Sequence, residues 1–123
     1  MLSLKQLRNS FRFAIAGMAR VFKEEQNFRV QVVVAIMVLC VMFIYDMGTL
    51  ERAVLTLAIA MVLVLELMNS IFERVVDLLK PRVHQHVKEV KDVMAATVLV
   101  AAFMAAVVGL LIIGPYISKS LFG

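Results

Sequence analysis

The sequence predicts an all-α integral membrane protein: three transmembrane helices and an N-terminal amphipathic surface helix, in a single membrane domain spanning residues 1–123. Three observations carry that reading. With 63% of its 123 residues hydrophobic and a mean hydropathy of +0.93, the chain is too apolar for a water-soluble domain of this size. The stretch Val93 to Ser118 has no charged residue and is long enough to cross a hydrocarbon core, since about 20 residues at ~1.5 Å rise cover about 30 Å. The basic residues also fall in two blocks. Lys5, Arg8, Arg12, Arg20, Lys23 and Arg29 precede the first apolar run, and Arg74, Lys80, Arg82, Lys88 and Lys91 lie between the last two, leaving only Arg52 and Lys119 elsewhere. Cytoplasmic flanks are enriched in Lys and Arg, so the N-terminus and second connection are expected inside, with the Asp46 to Glu51 turn and the C-terminus outside.

The elements follow in order. Residues 1–27 lack the apolar core and small-residue cleavage site of a secretory signal and are expected to stay on the chain. Leu4, Leu7, Phe11, Ile15, Met18 and Phe22 recur at spacings of three and four, while Lys5, Arg8, Arg12 and Lys23 fall toward the other side. Such a helix lies on the cytoplasmic membrane surface or packs on its own bundle. The first span is expected over 28–48, with Arg29 and Gln31 snorkelling to the interface and Cys40 a packing residue. Asp46, Gly48 and Thr49 supply turn chemistry. The second span, 50–72, is uncharged only from Ala53 to Leu65 and reaches full length by continuing through Glu66, Asn69 and Ser70. Pro81 limits any further helix. The third span is expected over 93–118, with Gly114-Pro115 at its fraying end.

The segment "LVLELMNSIFERVVD", Leu63 to Asp77, is therefore both apolar enough for lipid and polar at four positions. At about 100° per residue, Glu66, Asn69, Glu73 and Asp77 share a narrow sector of one helix, with Ser70 at its margin. A carboxylate in lipid costs several kcal/mol, so this stripe is expected to face a bundle interior or a wet cleft. Helix-to-helix hydrogen bonding by Asn69 and Ser70 is one use of it. Paired carboxylates near a membrane surface also suit a divalent cation or the removal of a proton from a hydroxyl.

The connection that follows, "KPRVHQHVKEVKD", offers Arg82, His84, His86, Lys88 and Lys91 to a polyphosphate, although topology alone accounts for Lys80, Arg82 and Lys88. There is no GxxxxGK phosphate loop, and two histidines without a third ligand do not make a zinc site. No nucleic-acid partner is expected. A small proton-coupled transporter using Glu66 is the alternative from another class, although such a protein normally has four spans and a carboxylate in the first.

"KEEQNFR" (Lys23 to Arg29), "LELMNSIFERVVD" (Leu65 to Asp77) and "HQHVKEVKDVMAATVL" (His84 to Leu99) together resemble the small bacterial diacylglycerol kinase and undecaprenol kinase family. The resemblance covers nearly the whole chain. It implies a homotrimer of three-span subunits in the bacterial inner membrane, N-terminus cytoplasmic, that uses ATP and Mg2+ to phosphorylate a lipid hydroxyl of undecaprenol or diacylglycerol. On the matching positions it implies Glu66 as catalytic base and Glu25 and Glu73 as metal ligands. It further implies Asn69, Glu73, Asp77, His84, Lys91 and Asp92 as nucleotide-site residues. Ile71, where relatives carry a small residue, and Met94 and Thr97, after Lys91-Asp92, depart from the pattern and bear on substrate fit. "KEEQNFR" and the glycine-proline end look closer to the undecaprenol kinase branch.

Overall fold

The computed structural model describes residues 1–79 and 86–123. Three helices follow in sequence: α1 (Leu4–Glu24), α2 (Gln26–Ile44) and α3 (Thr49–Phe122). α2 and the two arms of α3, Thr49–Leu79 and His86–Phe122, are long and apolar enough to cross a membrane. The arms of α3 lie side by side. In a straight helix, Asp77 and Lys91 would be about 21 Å apart, and Glu51 and Tyr116 about 98 Å apart. Instead Lys91 Nζ lies 2.7 Å from Asp77 Oδ1, and Tyr116 Oη donates to Glu51 Oε1 at 2.7 Å. The arms therefore run antiparallel.

α1 starts where the Ser3 hydroxyl accepts the Gln6 N–H, satisfying one of the free amides of the first turn. It ends at Glu25, a single extended residue (φ −116°, ψ 116°) that separates it from α2. The Arg29 guanidinium turns back to the Phe22 and Lys23 carbonyls, at 2.9 and 2.7 Å, and so satisfies acceptors that the end of α1 leaves free. Gln31, read from the sequence as an interface residue, donates to Glu66 on the first arm of α3. The apolar stripe of α1 is exposed from Leu4 to Phe22, and Val21 is the buried residue of this helix, so the stripe does not pack on the chain's own bundle.

At the other end of α2, Tyr45 turns extended and the chain enters α3 at Gly48. Glu51 Oε1 accepts from the Gly48 N–H at 3.4 Å, using the carboxylate to fill an amide of the first turn. Met42, Met47 and Leu55 form a buried cluster beneath this turn, and Val108, Ile112 and Tyr116 of the second arm pack against it. The rings of Tyr45 and Tyr116 sit 5.7 Å apart and tilted by 46°, within the favourable range for an aromatic pair.

Helix ends differ from the expected span limits for identifiable reasons. α2 begins at Gln26 because one extended residue suffices for the corner, and it stops at Ile44 because Tyr45 to Gly48 make the turn. The first arm continues past Phe72 to Leu79, carrying the polar stripe with it. The second arm begins before Val93 and runs through Gly114-Pro115 to Phe122; an interior proline removes one backbone donor but does not stop this helix. The limit expected from Pro81 lies outside the described residues.

Candidate active site

Three polar residues of the first arm are buried, which in so small a structure is the first sign of a site. Glu66 is 2% exposed, Asn69 8% and Ser70 1%. Their three- and four-residue spacing places them on one side of the arm, and that side faces the single-residue break between α1 and α2. The result is a cleft of about 230 Å³ lined by Glu25, Gln26 and Asn27 from the break and by Glu66, Asn69 and Glu73 from the arm. One helical stripe and one kink thus build both walls.

Each carboxylate in the cleft is held. Gln31 Nε2 donates to Glu66 Oε2 at 3.0 Å from one turn into α2. Asn69 Nδ2 donates to Glu73 Oε1 at 3.4 Å, and the Ser70 hydroxyl donates to Glu25 Oε1. Outside the cleft, Arg74 Nη2 forms an ion pair with Glu24 Oε2 at 2.6 Å, while its Nε reaches the Ser70 oxygen at 3.5 Å. The arrangement gathers three carboxylates, Glu25, Glu66 and Glu73, around a small polar space. Like charges so placed raise one another's energy, and a bound cation relieves this.

The structure brings together Glu25, Glu66, Asn69 and Glu73. Asp77 and Lys91 pair with each other one turn beyond Glu73, joining the two arms of α3. Asp92 is exposed and does not line the cleft. The side chain of His84 lies outside the described residues, and His86 is exposed beside Glu89 at 3.7 Å. Sequence reasoning missed Gln31, Gln26, Asn27, Glu24 and Arg74 as neighbours of the site. For Gln31 a signal existed: a carboxylate inside a span needs a donor, and Gln31 is the one amide in the apolar run from Val30 to Ile44.

The donors suit a hard, partly hydrated cation. Among the described residues no three His, Cys, Asp or Glu side chains close around one point, so an all-protein cage of the calcium type does not fit. Magnesium commonly takes only one or two carboxylates and completes its shell with water and substrate phosphates. Glu25 and Glu73 both line the cleft, and the buried Asn69 Oδ1 has no hydrogen-bond partner among the described residues. Glu25, Glu73 and Asn69 thus offer hard oxygen donors of the kind that ion takes.

A family model described as prokaryotic diacylglycerol kinase matches residues 12–113, which include every residue of the cleft. The chain belongs to this family. It is 37% identical over 101 residues to a diacylglycerol kinase of Synechocystis sp., covering 81% of this chain and 58% of that relative's length. An undecaprenol kinase of Bacillus subtilis is 32% identical over 112 residues, covering 91% of each chain. A diacylglycerol kinase of Pseudomonas aeruginosa is 32% identical over 98 residues, covering 80% of each. The names of these members of the prokaryotic diacylglycerol kinase family denote kinases of two lipid alcohols. None of these findings favours the proton-coupled transporter.

Proposed function

We propose that this chain is a membrane lipid kinase that transfers the γ-phosphoryl group of ATP to the hydroxyl of undecaprenol or diacylglycerol. The observation that carries the reading is the position of Glu66: a buried carboxylate on the membrane-embedded arm, sharing one small cleft with Glu25 and Glu73. A lipid alcohol reaching this cleft from the bilayer meets a base, and a nucleotide reaching it from the aqueous side meets metal-binding oxygens. An apolar groove of about 630 Å³ between α2 and the two arms offers cover for an alkyl chain, and its one polar lining residue is Gln31.

In this reading Glu66 takes the hydroxyl proton as the lipid oxygen bonds to the γ-phosphorus, while the bond to the β,γ-bridging oxygen breaks and ADP leaves with the electron pair. Glu25 and Glu73 would hold magnesium, which when bound neutralises phosphate charge. Asn69 orients Glu73, and Lys91, held by Asp77, supplies a positive charge toward the transferring group. His84 and Asp92 complete the nucleotide site. Phosphoryl transfer depends chiefly on such positioning and electrostatics.

The same reading places α1 on the cytoplasmic surface, where its exposed stripe enters the lipid boundary. It places the chain in the bacterial inner membrane with the N-terminus cytoplasmic, as a homotrimer. The test is a phosphoryl-transfer assay on folded protein in detergent, with magnesium ATP and each lipid in parallel. Label entering one or both lipids is expected; label entering neither rejects the reading.

A further inference from the structure

Among the described residues, the one side chain that donates to Glu66 is Gln31. Its Nε2 holds Glu66 Oε2 at 3.0 Å, and the other end of the same amide, Oε1, is buried with no hydrogen-bond partner among the described residues. Neighbouring polar groups are committed elsewhere, since Asn69 donates to Glu73 and Ser70 to Glu25. Gln31 also lines the apolar groove, whereas Glu66 lines the polar cleft, so this one hydrogen bond joins the two spaces.

A buried acceptor with no partner is costly and uncommon, and beside a carboxylate that changes protonation it has a use. A carboxamide presents a donor and an acceptor side by side. Toward an ionised Glu66, only the donor can act. Toward a protonated Glu66, the N–H still donates to Oε2 while the acid O–H can donate to the amide oxygen, giving a two-point pair. Serine and threonine, with one short hydroxyl, cannot present this flat two-atom edge.

We propose that Gln31 is a positioning residue for phosphoryl transfer: it fixes Glu66 Oε2, leaves Oε1 as the oxygen that takes the lipid hydroxyl proton, and receives the resulting acid O–H on its free amide oxygen. The inference rests on the kinase reading of Glu66. The proton passes from the lipid oxygen to Glu66 Oε1 as the oxygen–phosphorus bond forms and ADP leaves; Gln31 exchanges no atom.

A double-mutant cycle on the full chain tests this, with Gln31→Leu, Glu66→Gln and the double variant assayed for kcat and for KM toward magnesium ATP. Gln31→Leu is expected to lower kcat about 10- to 100-fold, part of the 10²- to 10⁴-fold that a general base supplies, with nucleotide KM within about twofold. In the Glu66→Gln background the same change is expected to cost less than about twofold, because groups acting as one unit are not additive. Gln31→Met, closer in shape, repeats the test if the leucine variant does not fold. Additive losses, or wild-type kcat in the folded Gln31 variant, overturn the proposal while leaving Glu66 as base. Wild-type turnover in Glu66→Gln instead removes Glu66 as the base and the proposal with it, whereas label entering neither lipid with the wild-type chain overturns the kinase reading itself.

Discussion

Ser70 donates its hydroxyl to Glu25 across 45 positions of sequence, tying the buried face of the first arm to the break between α1 and α2. With one carboxylate oxygen so held, the other is directed by the same contact, and the geometry of a metal ligand depends on such outer partners. Ser70→Ala is therefore expected to raise the magnesium concentration for half-maximal turnover several-fold, and to cost about 1 kcal/mol of stability. Magnesium titration of turnover, together with thermal unfolding in detergent, checks both.

The carboxylates of the cleft are expected to fail in different ways. Glu73→Gln keeps the shape and hydrogen-bonding capacity of the side chain but offers a hard cation no charge. Its half-saturating magnesium should rise at least about tenfold, the lower end of the loss seen when a metal site is perturbed, with activity partly restored at high magnesium. Glu25→Gln should behave the same way. A nucleotide-binding titration run with and without magnesium separates this from a loss of catalysis.

Tyr116 and Glu51 lie at the opposite end of the bundle from the cleft, where their hydrogen bond at 2.7 Å ties the second arm to the first. Tyr116→Phe keeps the ring pairing with Tyr45 and removes only the hydroxyl. The expected cost is about 1 kcal/mol of stability, with kcat unchanged. Unfolding and turnover measured on one preparation check this.

Much of the candidate site was legible because helical periodicity is a local property. Glu66, Asn69 and Glu73 are neighbours on one face for any helix through that segment, and the cost of a carboxylate in lipid predicts that the face turns inward. Asp77 shares the sector but sits where the second arm passes, so Lys91 claims it, a contact set by how the arms pack. Gln31 reads as an interface residue because a lone amide near the end of a span ordinarily reaches for water; its partner in the fold, Glu66, is 35 positions away. Arg74 likewise reads as topology from its position in the basic block, yet it binds Glu24 across the corner. The corner itself, one extended residue at Glu25, leaves no proline or glycine signature in the sequence.

The distribution of Lys and Arg predicts a cytoplasmic N-terminus and a C-terminus on the far side. A reporter that is active only in the cytoplasm should work when fused to the N-terminus and be silent at Phe122. Activity at the C-terminus would reverse the topology.

The most direct test of Glu66 as the base is the turnover of Glu66→Gln in protein shown to be folded. The amide keeps the size of the side chain and can still hydrogen-bond to Gln31, but it cannot take a proton from the lipid hydroxyl. If Glu66 is the base, kcat with magnesium ATP and a lipid alcohol should fall about 10²- to 10⁴-fold while nucleotide binding is retained. If Glu66 serves only to hold helices together, the amide does that as well, and near wild-type turnover in the folded variant would contradict the account.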